Sequence, residues 1–207
     1  KIVIIGGGIL GLSIARNFLL NGFKNITILE KENDIALHQS LRNSGVMHAG
    51  LYYGPNSLKA NLCRKGIVLM KKFCNENLIK WEECGKIVVA TNDNELSGLK
   101  ELLNRGEKNN LKGLRYLNSK EINKIEPYVN AKRGILVPEE SIVNYKEVAR
   151  KYQEEINSLG GEIIVPKVPS FGIKELANLI APKCRIKIIG KRLGEKIHEE
   201  LITSADV

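Results

Sequence analysis

Residues 1–32, KIVIIGGGILGLSIARNFLLNGFKNITILEKE, carry the clearest structural pattern in the sequence. Ile2 to Ile5 form a continuous apolar run, which predicts a strand buried on both faces of a parallel sheet. Gly6, Gly8 and Gly11 follow with the spacing G-x-G-x-x-G. The first glycine permits a tight turn, the second lets the backbone approach a pyrophosphate, and the third lets helix and strand pack closely. This turn therefore predicts a phosphate-binding site.

The residues that follow supply the other parts of a dinucleotide-binding fold. A helix is predicted to about Leu20, ending at Gly22, with its positive N-terminus directed at the phosphates. Ile26 to Leu29 predict the second strand, and Glu30 stands at its end, where a carboxylate accepts hydrogen bonds from ribose hydroxyls. Because these parts occur in the expected order, we predict dinucleotide binding. The pattern alone leaves FAD and NAD open.

Composition excludes several classes of protein. The chain has 207 residues, 43% of them hydrophobic, and a formal net charge of +9. No apolar run approaches the length of about 20 residues that spans a bilayer, which leaves only peripheral membrane contact open. The basic residues are dispersed among acids, which disfavours nucleic-acid binding. The four cysteines, at positions 63, 74, 84 and 184, form no C-x-x-C pair, so we expect reduced thiols, no metal site and a cytoplasmic protein.

A second motif lies within HQSLRNSGVMHAGLYYGPNSLKANLC, residues 38 to 63. Arg42, Asn43, Ser44 and Gly45 offer a guanidinium, an amide, a hydroxyl and close backbone approach at consecutive positions. This combination suits an anionic ligand at a helix N-terminus. The motif therefore predicts a second set of contacts to a phosphate-bearing cofactor.

Four further segments carry a family resemblance together with the glycine turn. They are LEKE at residues 29–32, RNSGVMHAGLYYGPNSLKA at 42–60, CGKIVVAT at 84–91 and VPEESIVNY at 137–145. With these segments, the chain resembles the L-2-hydroxyglutarate oxidases and dehydrogenases, in the D-amino-acid-oxidase-like group of FAD oxidoreductases, from residue 1 to about residue 163. The resemblance implies an α/β fold with an FAD-binding, Rossmann-like parallel sheet, and a 2-hydroxy acid such as L-2-hydroxyglutarate as substrate.

The resemblance also implies roles for individual residues. Gly6, Gly8, Gly11 and Glu30 would hold the ADP half of FAD. The further cofactor contacts, along the pyrophosphate and flavin, would be made by Arg42, Asn43, Ser44 and Gly45.

His48 is the candidate catalytic residue, because the resemblance places it close to the isoalloxazine ring. A histidine suits the removal of the hydroxyl proton while hydride leaves C2 of the substrate for flavin N5. The alternative, left open, is a histidine that only hydrogen-bonds the flavin or the backbone. The electrons would pass on to oxygen or a quinone. A dicarboxylate substrate requires cationic donors, which the sequence does not identify.

The middle of the chain predicts alternating strands and helices. The order is consistent with an incomplete α+β substrate-binding domain, residues 85–144, which follows the first part of the FAD-binding domain, residues 1–84. Residues 145–163 predict a helix and a strand that return to the FAD-binding domain. The individual predictions are strands at 85–91, 114–117 and 134–137, and helices at 57–75, at 95–106 with Asn92 or Asp93 as cap, and from the cap Ser119 to Pro127.

The last segment, residues 164–207, resembles a different family. VPKVPS at residues 165–170 and GEKIHEE at 194–200 are similar to the C-terminal part of the UDP-N-acetylglucosamine 4,6-dehydratases of polysaccharide biosynthesis. We predict an unrelated helix–strand–helix tail there, so that the chain is an apparent chimera. The alternatives to an FAD oxidoreductase are therefore a catalytically inactive fusion that only binds nucleotide, or a nucleotide-sugar protein of polysaccharide biosynthesis.

Overall fold

The three-dimensional structure is a computed structural model that describes residues 1–165 and Pro182. Within these residues, strands and helices alternate over most of the chain. In chain order the elements are β1 (Ile2–Ile5), α1 (Ile9–Leu20), β2 (Ile26–Leu29), β3 (Val46–Met47), α2 (Leu58–Glu76), β4 (Trp81–Glu82), β5 (Lys86–Ala90), a 3₁₀ turn (Asp93–Glu95), α3 (Leu96–Lys108), β6 (Arg115–Asn118), α4 (Ser119–Ile125), β7 (Arg133–Val137), β8 (Ser141–Val143), α5 (Tyr145–Ser158) and β9 (Glu162–Ile164).

A parallel sheet carries the glycine turn. Its strand order is β1-β2-β9, and both pairs of neighbours are parallel. Ile26 and Ile28 in the central strand are buried. Helices α1 and α5 pack together and share one apolar core, and Arg16 of α1 forms an ion pair with Glu155 of α5 at 2.6 Å. The predicted strands of this sheet are confirmed in position.

The prediction that β1 is buried on both faces is wrong. Ile4 faces α1, since its Cγ2 lies near Gly11. Val3 and Ile5 point to the opposite face, because side chains alternate along a strand, and they are 47% and 62% exposed. Among the described residues, β1 is one of the two edge strands of this sheet. The apolar run therefore indicated the strand correctly, but only one of its faces is covered here.

Two antiparallel sheets complete the described fold. One has the order β3-β8-β4 and the other the order β5-β7-β6. Helices α3 and α4 pack against the second of these sheets. The succession β5-α3-β6-α4-β7 is the strand–helix alternation predicted for this part of the chain. The two-residue strands β3 and β4 were not predicted, because a pair of residues carries no periodicity.

Two predicted helix caps are wrong. Helix α4 is capped by Asn118 rather than Ser119: the Asn118 side chain accepts a hydrogen bond from Glu121 N, and the Glu121 carboxylate accepts one from Asn118 N. Neither Asn92 nor Asp93 caps α3 through its side chain, because a 3₁₀ turn precedes this helix and Asn92 makes no such bond. Adjacent polar residues compete for a cap, and the backbone dihedrals decide between them.

The predicted helix–strand–helix tail at residues 166–207 lies outside the described residues, apart from Pro182. Among the helices of the described part, none has the length and apolarity to cross a membrane.

Candidate functional site

The glycine turn joins β1 to α1 and is open on one side. Gly6 has φ +97°, in the left-handed region that favours glycine, and its N–H donates to the Leu29 carbonyl over 2.7 Å. A Cβ at Gly6 would meet no atom within 4 Å, whereas a Cβ at Gly11 would lie 2.0 Å from the Gly6 carbonyl oxygen. Space therefore exists beside the first glycine, and the third glycine is required by the close approach of helix and turn.

The N-terminus of α1 has no side-chain cap of its own. Gly8 is the N-cap residue, with extended backbone dihedrals and no side-chain cap bond. A residue from another segment takes part of this role, since Ser40 Oγ accepts a hydrogen bond from Ile9 N over 3.0 Å. Ser40 was not predicted as a site residue, because nothing local to it indicates contact with a helix 31 residues earlier.

Glu30 is buried at the end of β2 and contacts the glycine turn directly. Its Oε2 accepts a hydrogen bond from Gly7 N over 2.6 Å, and its Oε1 accepts one from Glu32 N over 3.0 Å. Each carboxylate oxygen has two lone pairs. Each oxygen of the carboxylate therefore retains a lone pair for a further hydrogen bond.

This geometry fits the adenosine diphosphate half of a dinucleotide. The turn is open beside Gly6, the N-terminus of α1 supplies a positive dipole end, and the Glu30 carboxylate lies at the neighbouring strand end. An anionic diphosphate and a hydroxyl-bearing ribose bound here would each meet groups of matching chemistry.

The segment from Arg42 to Gly45 lies in a loop and begins no helix of its own. Ser40, two residues before it, contacts the N-terminus of α1. The Asn43 amide donates to the carbonyls of Gln39 and Ser40 and accepts from Gly45 N over 2.8 Å. Gly45 has φ +72°, and a Cβ there would lie 2.8 Å from the Val143 carbonyl oxygen. These two residues shape the loop, while Arg42 and Ser44 are exposed beside them.

His48 follows β3 and lies next to a buried carboxylate. Its Nδ1 is 3.3 Å from Glu140 Oε2, with the His48 side chain 53% exposed and that of Glu140 only 2% exposed. Glu140 Oε1 accepts hydrogen bonds from Lys86 Nζ over 3.0 Å and from Ala49 N over 3.2 Å. Lys86 Nζ also lies 4.8 Å from the centroid of the Tyr52 ring. Neither Glu140 nor Lys86 was predicted as a site residue.

The backbone after His48 is held in place from two sides. Arg64 donates a hydrogen bond to the Ala49 carbonyl. It also forms a bidentate ion pair with the Glu139 carboxylate, in which both N–O distances are 3.0 Å. Burial acts to raise the pKa of Glu139, but the Arg64 guanidinium and the Lys112 N–H outweigh it and hold the pKa below its ordinary value. Asn109 is buried and donates to the carbonyls of Gly50 and Tyr53.

The other described histidine contacts a different carboxylate. His38 Nε2 is 2.7 Å from Glu32 Oε1, in the loop that follows β2. Within residues 1–165 and Pro182, no group of three or more His, Cys, Asp or Glu is placed to hold a metal ion.

The parallel sheet, the open glycine turn and the carboxylate at the end of the second strand define a dinucleotide-binding α/β protein. The chain belongs to the family of FAD dependent oxidoreductases, whose family model matches residues 1–176. A second family model, described as polysaccharide biosynthesis protein, matches residues 152–207. The first match agrees with the resemblance of residues 1–163 to FAD oxidoreductases, and the second with the resemblance of residues 164–207 to polysaccharide-biosynthesis enzymes. Both matches support the prediction of a chimera.

Several L-2-hydroxyglutarate dehydrogenases are similar to this chain. The mitochondrial enzyme of Dictyostelium discoideum is 46% identical over 164 residues, which are 78% of this chain and 37% of that protein. The human mitochondrial enzyme is 41% identical over 79% of this chain and 35% of its own length. The Escherichia coli enzyme is 40% identical over 88% of this chain and 43% of its own length. The chain therefore spans less than half the length of the relatives it matches.

Solved structures show the same fold. The L-α-glycerophosphate oxidase of Mycoplasma pneumoniae, with FAD bound, has a TM-score of 0.69 at 26% identity and covers 80% of this chain and 44% of its own. Glycine oxidase from Geobacillus kaustophilus has a TM-score of 0.71 at 20% identity, over 79% and 46% of the two chains. At this lower identity the likeness bears on the fold alone.

Proposed function

We propose that this chain is the FAD-binding part of an oxidoreductase that converts L-2-hydroxyglutarate to 2-oxoglutarate. The observation that carries the proposal is the identity of 40–46% with L-2-hydroxyglutarate dehydrogenases such as those of Dictyostelium discoideum and Escherichia coli. The matched region holds the glycine turn, Glu30 and the segment from Arg42 to His48. The matched relatives are longer, so substrate and activity belong to the proposal.

The proposed cofactor site uses groups whose geometry suits FAD. Gly6, Gly8 and Gly11 form the turn against which the diphosphate would lie, and the Glu30 carboxylate would accept hydrogen bonds from the adenosine ribose. The exposed polar segment from Arg42 to Gly45 would extend the contacts toward the flavin. When bound, FAD supplies the acceptor for the hydride that leaves C2 of the substrate.

The proposed role of His48 is that of a general base. Oxidation of a 2-hydroxy acid to a 2-oxo acid removes a hydride from C2 and a proton from the hydroxyl group. A ring nitrogen of His48 would take this proton, since imidazole is a base near neutral pH. Oxygen or a quinone would be the final electron acceptor, and the cytoplasm is the proposed location.

A specific observation supports a second candidate. Residues 152–207 match the polysaccharide biosynthesis model, and they overlap the last part of the oxidoreductase match. The second candidate is therefore a fusion product without catalysis that at most binds a nucleotide.

Absorption spectroscopy of the purified chain tests both candidates. A bound flavin absorbs at about 450 nm, and anaerobic L-2-hydroxyglutarate should bleach this band. The D-enantiomer is the matched control and should leave it unchanged. A chain that takes up flavin but is not bleached by the L-enantiomer contradicts the enzyme and supports the fusion product. A chain without flavin that releases heat on addition of UDP in a calorimeter indicates a nucleotide-sugar protein.

A further inference from the structure

Glu140 is a buried carboxylate, and one of its two oxygens lacks a regular hydrogen bond within the described residues. Its side chain is 2% exposed and lies just before β8. Lys86 Nζ and Ala49 N both donate to Oε1. Oε2 makes no hydrogen bond of regular geometry within the described residues, and His48 Nδ1 lies 3.3 Å from it. A buried carboxylate oxygen without a partner is costly, so this arrangement calls for an explanation.

We propose that Glu140 is a positioning residue, which fixes the tautomer of His48 so that Nδ1 carries the proton and Nε2 has a free lone pair. An ionised carboxylate only accepts hydrogen bonds. A neutral imidazole beside it therefore presents its N–H at the nitrogen that faces the carboxylate, and the other nitrogen becomes the base. The part of this inference that concerns catalysis rests on the proposed function, but the part that concerns the tautomer does not.

Lys86 offsets the free-energy cost of burying the Glu140 charge. A buried carboxylate needs a partner of opposite charge, and Lys86 supplies one at 3.0 Å. Since Lys86 and Ala49 N occupy Oε1, they direct the other oxygen toward His48. The distance of 3.3 Å is long for a hydrogen bond, but the half-exposed imidazole can turn about its Cβ–Cγ bond, and such contacts often tighten only when ligands bind.

Glu140→Gln makes a sharp test, because glutamine has one acceptor and one donor. Two donors face the Oε1 position, so the glutamine carbonyl belongs there and its NH₂ group must point at His48 Nδ1. Nδ1 then has to accept, and the proton of the neutral ring moves to Nε2. We therefore expect this substitution to switch the His48 tautomer from Nδ1–H to Nε2–H.

Nitrogen-15 NMR of the full chain without flavin measures this directly. At about pH 8.5, some two units above the ordinary pKa of histidine, the ring nitrogens of each neutral tautomer have different chemical shifts. His48→Asn identifies the His48 signals. The proposal requires Nδ1–H in the wild type and Nε2–H in Glu140→Gln. An unchanged tautomer in a folded Glu140→Gln variant, or Nε2–H in the wild type, overturns it.

Two further variants keep the test decisive. Glu32→Gln, at the His38–Glu32 pair of 2.7 Å, is the matched control and should change only the His38 signals. Lys86→Arg retains a charged donor to Oε1 and should retain Nδ1–H at His48. If Glu140→Gln does not fold, the wild type and Lys86→Arg still decide, since Nε2–H in both contradicts the proposal.

Flavin reduction separates this inference from the proposed function. If the wild type is reduced by L-2-hydroxyglutarate, Glu140→Gln should bind flavin normally and be reduced about 100-fold more slowly or worse. Equal rates with a switched tautomer overturn the catalytic part. If the wild type binds flavin and is not reduced, the proposed function fails, while the NMR result decides the tautomer independently.

Discussion

The Glu30 carboxylate accepts a hydrogen bond from Gly7 N over 2.6 Å, across 23 residues of sequence. This bond ties the end of β2 to the glycine turn. A Cβ at Gly7 would lie 3.0 Å from the same carboxylate oxygen and 3.2 Å from Glu30 Cβ, so a larger residue there would require the Glu30 side chain to shift. The two parts of the candidate adenosine site are thus one connected unit, and a change in either should affect both stability and cofactor binding.

Gly11→Ala should disrupt this unit. The added Cβ would lie 2.0 Å from the Gly6 carbonyl oxygen, which is backbone and can move only if the turn moves. We expect the free energy of unfolding to fall by at least about 2 kcal/mol, with loss of bound flavin. Urea unfolding and the absorption spectrum measure the two effects.

Gly66→Ala is the matched control for that change. Gly66 lies inside α2, and a Cβ there meets no atom within 4 Å. Alanine is preferred over glycine within helices, so this variant should gain about 0.5–1 kcal/mol of stability. If both variants changed the free energy of unfolding equally and kept the flavin, the turn would not constrain Gly11.

Glu30→Gln should lower both stability and flavin affinity. Glutamine has one acceptor, whereas Gly7 N and Glu32 N each donate to a separate oxygen of Glu30. One of these N–H groups would therefore face an NH₂ group, at a cost of about 1–3 kcal/mol. The urea midpoint reports the loss. Glu126→Gln, at an exposed position, should change stability by no more than about 0.5 kcal/mol; a similar loss in both variants would contradict the role of Glu30.

The nucleotide-binding part could be predicted because its signals are local. The apolar run of β1, the spacing of Gly6, Gly8 and Gly11, and the acid after β2 all lie within 30 residues. The exposure of Val3 and Ile5 could not be predicted, since it depends on which neighbours cover the sheet rather than on the strand itself.

The partner of His48 could not be predicted from the sequence. Glu139 and Glu140 are adjacent and chemically identical, and only the fold decides that Glu139 pairs with Arg64 while Glu140 turns inward. Glu140 reaches its contacts because β3 pairs with β8, which joins residues about ninety positions apart, such as Ala49 and Glu140 with a separation of 91. The two-residue length of β3 gives no sequence signal for that pairing.

The ion pair between Arg64 and Glu139 should make the fold sensitive to acid. Although burial acts in the opposite sense, Arg64 lowers the pKa of Glu139 in the folded state. A carboxyl group with a lower pKa in the folded state stabilises the protein above its unfolded pKa, and this contribution is lost as the pH falls through the folded pKa. Glu139→Gln should therefore reduce the melting temperature at about pH 7 and have a much smaller effect at about pH 3. A constant difference across this pH range would contradict the assignment.

The three described cysteines should react with iodoacetamide in the order of their exposure. Cys84 is exposed, Cys63 is intermediate and Cys74 is buried. Burial raises the pKa of both the Cys63 and Cys74 thiols, with a further increase from Glu140 at Cys63 and from Glu147 at Cys74. Because the thiolate is the reactive form, Cys84 should be labelled first, Cys63 more slowly, and Cys74 only after unfolding. Mass spectrometry of the tryptic peptides gives the three rates, and labelling in concentrated urea, where the differences should vanish, is the control. Labelling of Cys74 as fast as Cys84 in the folded protein would contradict the burial of Cys74.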